Sequence, residues 1–152
     1  MRDLLSDVER LTALGRPFGR AVVTSVWGSA PRPTGSSMLA TADGTIAGSV
    51  SGGCVESATA VEIAGVIGSG SPKLVTFGVT DERAWEAGLA CGGTIKVFVE
   101  PAVRPEVLAA ARGPGGEVVA TVIEGPHPGA SARIFEDGRV EGTLGEIGRA
   151  HV

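Results

Sequence analysis

The sequence has no tyrosine, two tryptophans and four phenylalanines, so few flat side chains are available for stacking on bases. Its 13 basic residues are outnumbered by 17 acidic ones, giving a net charge of -4, and the basic residues do not cluster. A nucleic-acid groove needs a basic stripe and usually stacking aromatics, so that class of partner is excluded. No apolar run approaches the ~20 residues of a membrane-spanning helix. The charged first ten residues lack the apolar core of a secretory signal. Two cysteines without such a signal point to a reducing, cytoplasmic compartment in which thiols stay free. Histidine is as scarce, with His127 and His151 alone, and there is no C-x-x-C or H-x-x-x-H spacing, which argues against a zinc site.

Glycine is what the chain has in excess, 24 of 152 residues. It falls at a few points between apolar runs, as tight turns or close backbone approaches require. The length suits one domain with a real core. Leucine and valine at helical spacing predict a helix over 3–14. Strands are predicted over 20–27, 37–41 and 45–50, the last two joined by an Asp43-Gly44 hairpin turn. The stretch 28–35, GSAPRPTG, is a loop. A helix should begin near Cys54 and end within 68–70, followed by a strand over 73–77 and a helical turn over 80–87. The remaining elements are a strand over 94–100, a helix over 105–112 and a strand over 117–123. These patterns predict an α+β class: a mixed or antiparallel β core with two to four helices packed against it.

The last third echoes the first. Gly35, Asp43, Gly44 and Gly48 match Gly129, Asp137, Gly138 and Gly142 at one constant offset. The preceding strands, residues 21–26 and 118–123, also correspond. Chance likeness between two Asp-Gly hairpins is one reading. The other is an internally duplicated β unit, its second copy spanning 117–148, with both copies in one sheet or barrel. The first copy alone carries Arg32 in its loop and runs into Ser51-Gly52-Gly53-Cys54, so chemistry is expected there.

Cys54 falls where a strand gives way to a glycine turn and a helix. Free amides and the helix dipole at such a place favour a thiolate and should lower the thiol pKa. The same amides could hold a phosphate. A small buried hydrophobe in a tight turn is an equal reading of Cys54 by position alone. Cys91, followed by Gly92 and Gly93, taken alone reads better as packing. Arg32 suits bidentate binding of a carboxylate or phosphate, and it also reads as a solvated arginine. Glu56 is either a general base or a glutamate favoured by the helix dipole.

Three stretches together resemble the XdhC/CoxI family: Trp27-Gly28-Ser29-Ala30-Pro31-Arg32-Pro33, Gly48-Ser49-Val50-Ser51-Gly52-Gly53-Cys54-Val55-Glu56, and Gly88-Leu89-Ala90-Cys91-Gly92-Gly93. The likeness is strongest over 1–101, running from about Leu4 to Pro101. The resemblance implies a factor that binds the molybdenum cofactor (molybdopterin) transiently, protects it while it gains a terminal sulfur, and helps insert it. The recipient would be a molybdenum hydroxylase apoenzyme such as xanthine dehydrogenase or carbon monoxide dehydrogenase, with a cysteine desulfurase as a further partner. It implies an accessory protein and not an enzyme that turns over a metabolite. Many family members continue into a Rossmann-like domain whose fingerprint is not found here, so the chain is expected to be either a stand-alone first domain, with a separate Rossmann-domain chain as partner, or a fragment; a homo-oligomer is also expected. Carried onto this chain, the site would comprise Ser29, Arg32, Ser51, Gly52, Gly53, Cys54, Glu56, Cys91, Gly92 and Gly93. Cys54 and Cys91 would touch the metal or carry sulfur. The competing readings are a thiol-dependent transferase or oxidoreductase using the two cysteines, and a non-catalytic domain that docks a Rossmann partner.

Overall fold

The computed structural model describes residues 1–78 and 93–145. A 3-10 turn (Arg2–Leu4) leads into helix α1 (Leu5–Ala13). Strands β1 (Phe18–Trp27), β2 (Ser37–Thr41) and β3 (Ile46–Gly48) follow, then helix α2 (Glu56–Ser69). Strands β4 (Lys73–Phe77) and β5 (Thr94–Glu100) precede helix α3 (Pro105–Arg112). Strands β6 (Glu117–Thr121), β7 (Ser131–Phe135) and β8 (Val140–Gly142) end the described chain. The α+β class expected from the sequence is the one observed. The helical turn expected over 80–87 lies outside the described residues.

Five strands form an antiparallel sheet in the order β3-β2-β1-β5-β4. Both its faces are apolar because its central strands alternate between two cores. Ala21 and Val23 of β1, Met38 and Ala40 of β2, and Ile95, Val97 and Val99 of β5 meet Ile63 and Val66 of α2 on one face. On the other, Leu39 packs with Leu4, Val8 and Leu11 of the amino-terminal helical segment. Burying a side chain such as Ile63, which is fully enclosed, contributes about 1.5–3 kcal/mol. Gly70, with a φ of 72°, stops α2 in the left-handed conformation that glycine adopts without strain.

The echo of the first hairpin is a separate three-stranded sheet, β6-β7-β8, and does not extend the first. This corrects the expectation of one sheet or barrel. The physical reason is visible at α3, which separates β5 from β6 and whose Glu106 accepts a hydrogen bond from Ser131 of β7 at 2.8 Å. The two hairpins nevertheless share their register. Met38 faces Gly48 and Ala40 faces Ile46, while Ala132 faces Gly142 and Ile134 faces Val140. The leading strands align differently from the sequence match of 21–26 with 118–123. Val22 pairs with Ser37 and Thr121 with Ser131, so β6 slips by two residues. The loop after β6 is shorter, and the strand shifts to meet it.

A buried ion pair joins neighbouring strands β1 and β5 of the main sheet. Arg20 Nε lies 2.9 Å from Glu100 Oε1, with the Glu100 side chain fully enclosed. The contact is close but not a directed hydrogen bond. Burial raises the Glu100 pKa, and the charges of Arg20 and Arg104 oppose that rise.

Candidate functional site

Two of the three motif stretches, and Gly93 from the third, converge at one end of the main sheet. The register of β1 against β5 shifts between Val23 and Ser25, a bulge whose Thr24 hydroxyl donates to the Lys96 carbonyl at 3.1 Å. Bulges re-aim the residues that follow them, and here β1 ends on Trp27, which is 74% exposed. The loop 28–35 departs from that point. A Cβ at Gly93 would collide with the Ser29 carbonyl, so only glycine lets the entry into β5 pass over this loop. A Cβ at Gly52 would stand 3.2 Å from the Pro31 Cβ. The loop therefore lies between the Ser51-Gly52 turn on one side and Gly93 on the other.

The turn before α2 is organised around Glu56. Its Oε1 accepts hydrogen bonds from the Ser49 hydroxyl at 2.7 Å and from the amides of Val50, Ser51 and Gly52 at 3.1, 2.8 and 3.1 Å. Its Oε2 accepts from the Ser51 hydroxyl at 2.6 Å and the Gly53 amide at 2.8 Å. The left-handed glycines, Gly52 at φ 79° and Gly53 at φ 117°, turn successive N–H groups to one side. That is the geometry of an anion nest. The Ser51 hydroxyl also accepts from the Val55 amide at 2.9 Å, tying the turn to the helix.

This fixes the protonation of Glu56. Burial would raise its pKa, but the donors from Ser49, Ser51 and Gly53 outweigh burial and pull it from 4.5 down to about 2. A carboxylate so easily ionised is a very weak base, so the general-base role weighed from the sequence does not fit. The amides thought free for a phosphate are committed to Glu56. Periodicity could not reveal this, because the contacts join side chain to backbone. The one sequence signal is a glutamate three residues after a Ser-Gly-Gly turn.

The other expected residues are placed as follows. Cys54 is exposed, on the outside of the turn. Ser29 is exposed and Arg32 half-buried. Arg32 Nε is enclosed without a protein hydrogen-bond partner. Its charge reaches the amino-terminal segment, where it adds the weakest contribution to lowering the Asp3 pKa, behind the Met1 ammonium. Cys91 and Gly92 lie outside the described residues. Among the described residues no group of three His, Cys, Asp or Glu is placed to hold a metal ion. No helix among them is long and apolar enough to cross a membrane.

The family model described as "XdhC and CoxI family" matches residues 11–78, which include two of the three converging stretches. Over residues 11–78 the chain is similar to the XdhC and CoxI family. A protein of Escherichia coli strain K12 named molybdenum cofactor insertion chaperone PaoD is 40% identical over 80 residues, 51% of this chain and 24% of that protein. The uncharacterized protein YqeB of the same strain is 30% identical over 97 residues, 64% of this chain and 18% of that protein. The match thus spans a quarter or less of either curated relative. In three dimensions a Bacillus halodurans chain described as a xanthine dehydrogenase superposes with a TM-score of 0.67 at 27% identity. It covers 90% of this chain and 44% of that one.

Proposed function

We propose that this chain binds the molybdenum cofactor and assists its insertion into a molybdenum hydroxylase. The observation that carries the reading is the convergence of these motif stretches on one surface, in a chain 40% identical over 80 residues to a protein named as an insertion chaperone. The residues there fit such a cargo. The cofactor presents an anionic phosphate and soft sulfur around its metal. Arg32 offers an enclosed, unpartnered Nε for an oxyanion, and Cys54 offers a solvent-facing sulfur. Trp27 adds an exposed aromatic face beside the loop that carries Arg32. Cys91 would join Cys54 from the segment that precedes Gly93. The hydroxylase apoenzyme is the recipient and a cysteine desulfurase the sulfur source, both in the cytoplasm.

Reconstitution of an apo-hydroxylase tests this reading. Adding the chain with the cofactor should increase the active fraction over cofactor alone, and Cys54→Ala or Arg32→Ala should reduce the gain. Equal activation with and without the wild-type chain would overturn it.

The exposure of Cys54 also suits a second reading, a thiol-dependent transferase or oxidoreductase. In that case Cys54 should alkylate rapidly near neutral pH and become trapped as a disulfide with Cys91.

A further inference from the structure

The best-satisfied anion in the described structure is one of the protein's own. Six donors on five consecutive residues converge on the Glu56 carboxylate: the hydroxyls of Ser49 and Ser51 and the amides of Val50, Ser51, Gly52 and Gly53. The same turn presents Cys54 outward and sets Gly52 beneath Pro31. Ser51 is fully enclosed, and the Val55 side chain after it is in the core, so the turn is anchored on its inner side. Its outer residues Gly52, Gly53 and Cys54 are exposed. Two glycines in a row at positive φ have little reason of their own to hold one conformation, because glycine loses more backbone entropy on ordering than any other residue. An anion at the focus of the amides supplies that reason. A neutral side chain there would leave several amides without a partner.

We propose that the Ser49–Gly53 turn is a self-filled oxyanion nest, and that Glu56 is a positioning residue whose carboxylate holds Cys54 and Gly52 in place for the cargo. The nest takes a small carboxylate from solution once its own is removed. Glu56 itself does not touch the cargo. Only the cargo-binding arm of the test rests on the function proposed above.

Chemical rescue decides the matter. In Glu56→Ala the amide proton resonances of Ser51, Gly52 and Gly53 should move upfield, and the alkylation rate of Cys54 should change by at least about threefold as the turn loosens. Added formate should return both toward wild type with a saturable dependence, and chloride at the same ionic strength should not. Glu56→Gln keeps the size and removes the charge, so it should displace the same resonances without an answer to formate. Molybdenum-cofactor affinity should fall at least about tenfold in Glu56→Ala, the scale of losing charge-assisted hydrogen bonds, and should recover with formate. If Glu56→Ala does not fold, its refolding is the readout: recovery with formate and not with chloride supports the nest. Unchanged amide resonances, or a folded variant indifferent to formate, would overturn it. If the amides and thiol respond but the wild type binds no cofactor, the function falls and the nest stands.

Discussion

In β1–β3 and in β6–β8 a strand, a two-strand hairpin with an Asp-Gly turn and a positive-φ glycine follow one another in the same register. Even the turn hydrogen bonds agree. Gly44 donates to Thr41 as Gly138 donates to Phe135, and Ser49 donates to Ser37 as Thr143 donates to Ser131. The units differ in what is added. The first has the loop 28–35, the Glu56-centred turn and α2 across its face. The second has the shorter loop 123–128 and, among the described residues, no following helix. Val118 and Val140 of the second unit are more than half exposed, while every residue of β2 is buried. The two hairpins thus share a frame, and the site proposed above draws on the segments attached to the first.

Pairs of matched substitutions test this contrast. The largest difference is expected between ion pairs. Glu100→Gln leaves Arg20 buried without its countercharge and should cost about 3–5 kcal/mol. Glu141→Gln, in an exposed pair with Arg133 in the second unit, should cost about 0–1 kcal/mol. Denaturant midpoints give both values, and equal losses would break the comparison. Next come the apolar faces. Ile63→Ala opens the core under α2 and should cost about 2–5 kcal/mol, whereas Val140→Ala should stay within about 0.5 kcal/mol.

The glycines that close the two hairpins should behave alike. Gly48 and Gly142 have φ of 78° and 98°, and a Cβ at either would sit 2.5 Å from a carbonyl, of Ser37 or Ser131. Either change to alanine should cost about 1–3 kcal/mol. A marked inequality in thermal unfolding would show that shared register does not mean shared constraint.

The smallest effect is in acid. Glu56 is ionised more readily folded than unfolded, so its stabilisation is complete above pH 4.5 and is lost as pH falls through about 2. Glu100 has the opposite sign, because burial raises its pKa and favours the protonated folded form at low pH. The two are separated by difference. The gap in stability between wild type and Glu56→Gln should narrow as pH falls from 4.5 toward 2. A gap independent of pH would mean that Glu56 acts by shape and not by charge.

Much of this frame was legible in the sequence. Strands β4 and β5 and helix α3 have the predicted limits, because β-branched alternation and flanking Gly or Pro mark their ends. The offset between Gly35, Asp43, Gly44 and Gly48 and their later counterparts marked the shared hairpin. The split into two sheets was not legible, since it depends on α3 and its contact from Glu106 to Ser131. Nor was the slip of β6, which depends on loop length. At the site, the motif residues could be named, but their meeting could not. It rests on a missing Cβ at Gly93 against the Ser29 carbonyl and at Gly52 against Pro31. The role of Glu56 was hidden for a similar reason, because its six partners are backbone amides and short hydroxyls without a periodic signature.

The central claim is that cofactor binding belongs to the first β unit and its attached segments. The most direct measurement is a binding titration of the purified chain with molybdenum cofactor, run in parallel for wild type, Cys54→Ala, Arg32→Ala and Val140→Ala. Saturable binding by wild type and Val140→Ala, weakened in Cys54→Ala and Arg32→Ala, is the predicted result. Absence of binding by the wild type, or equal weakening in Val140→Ala, would contradict it.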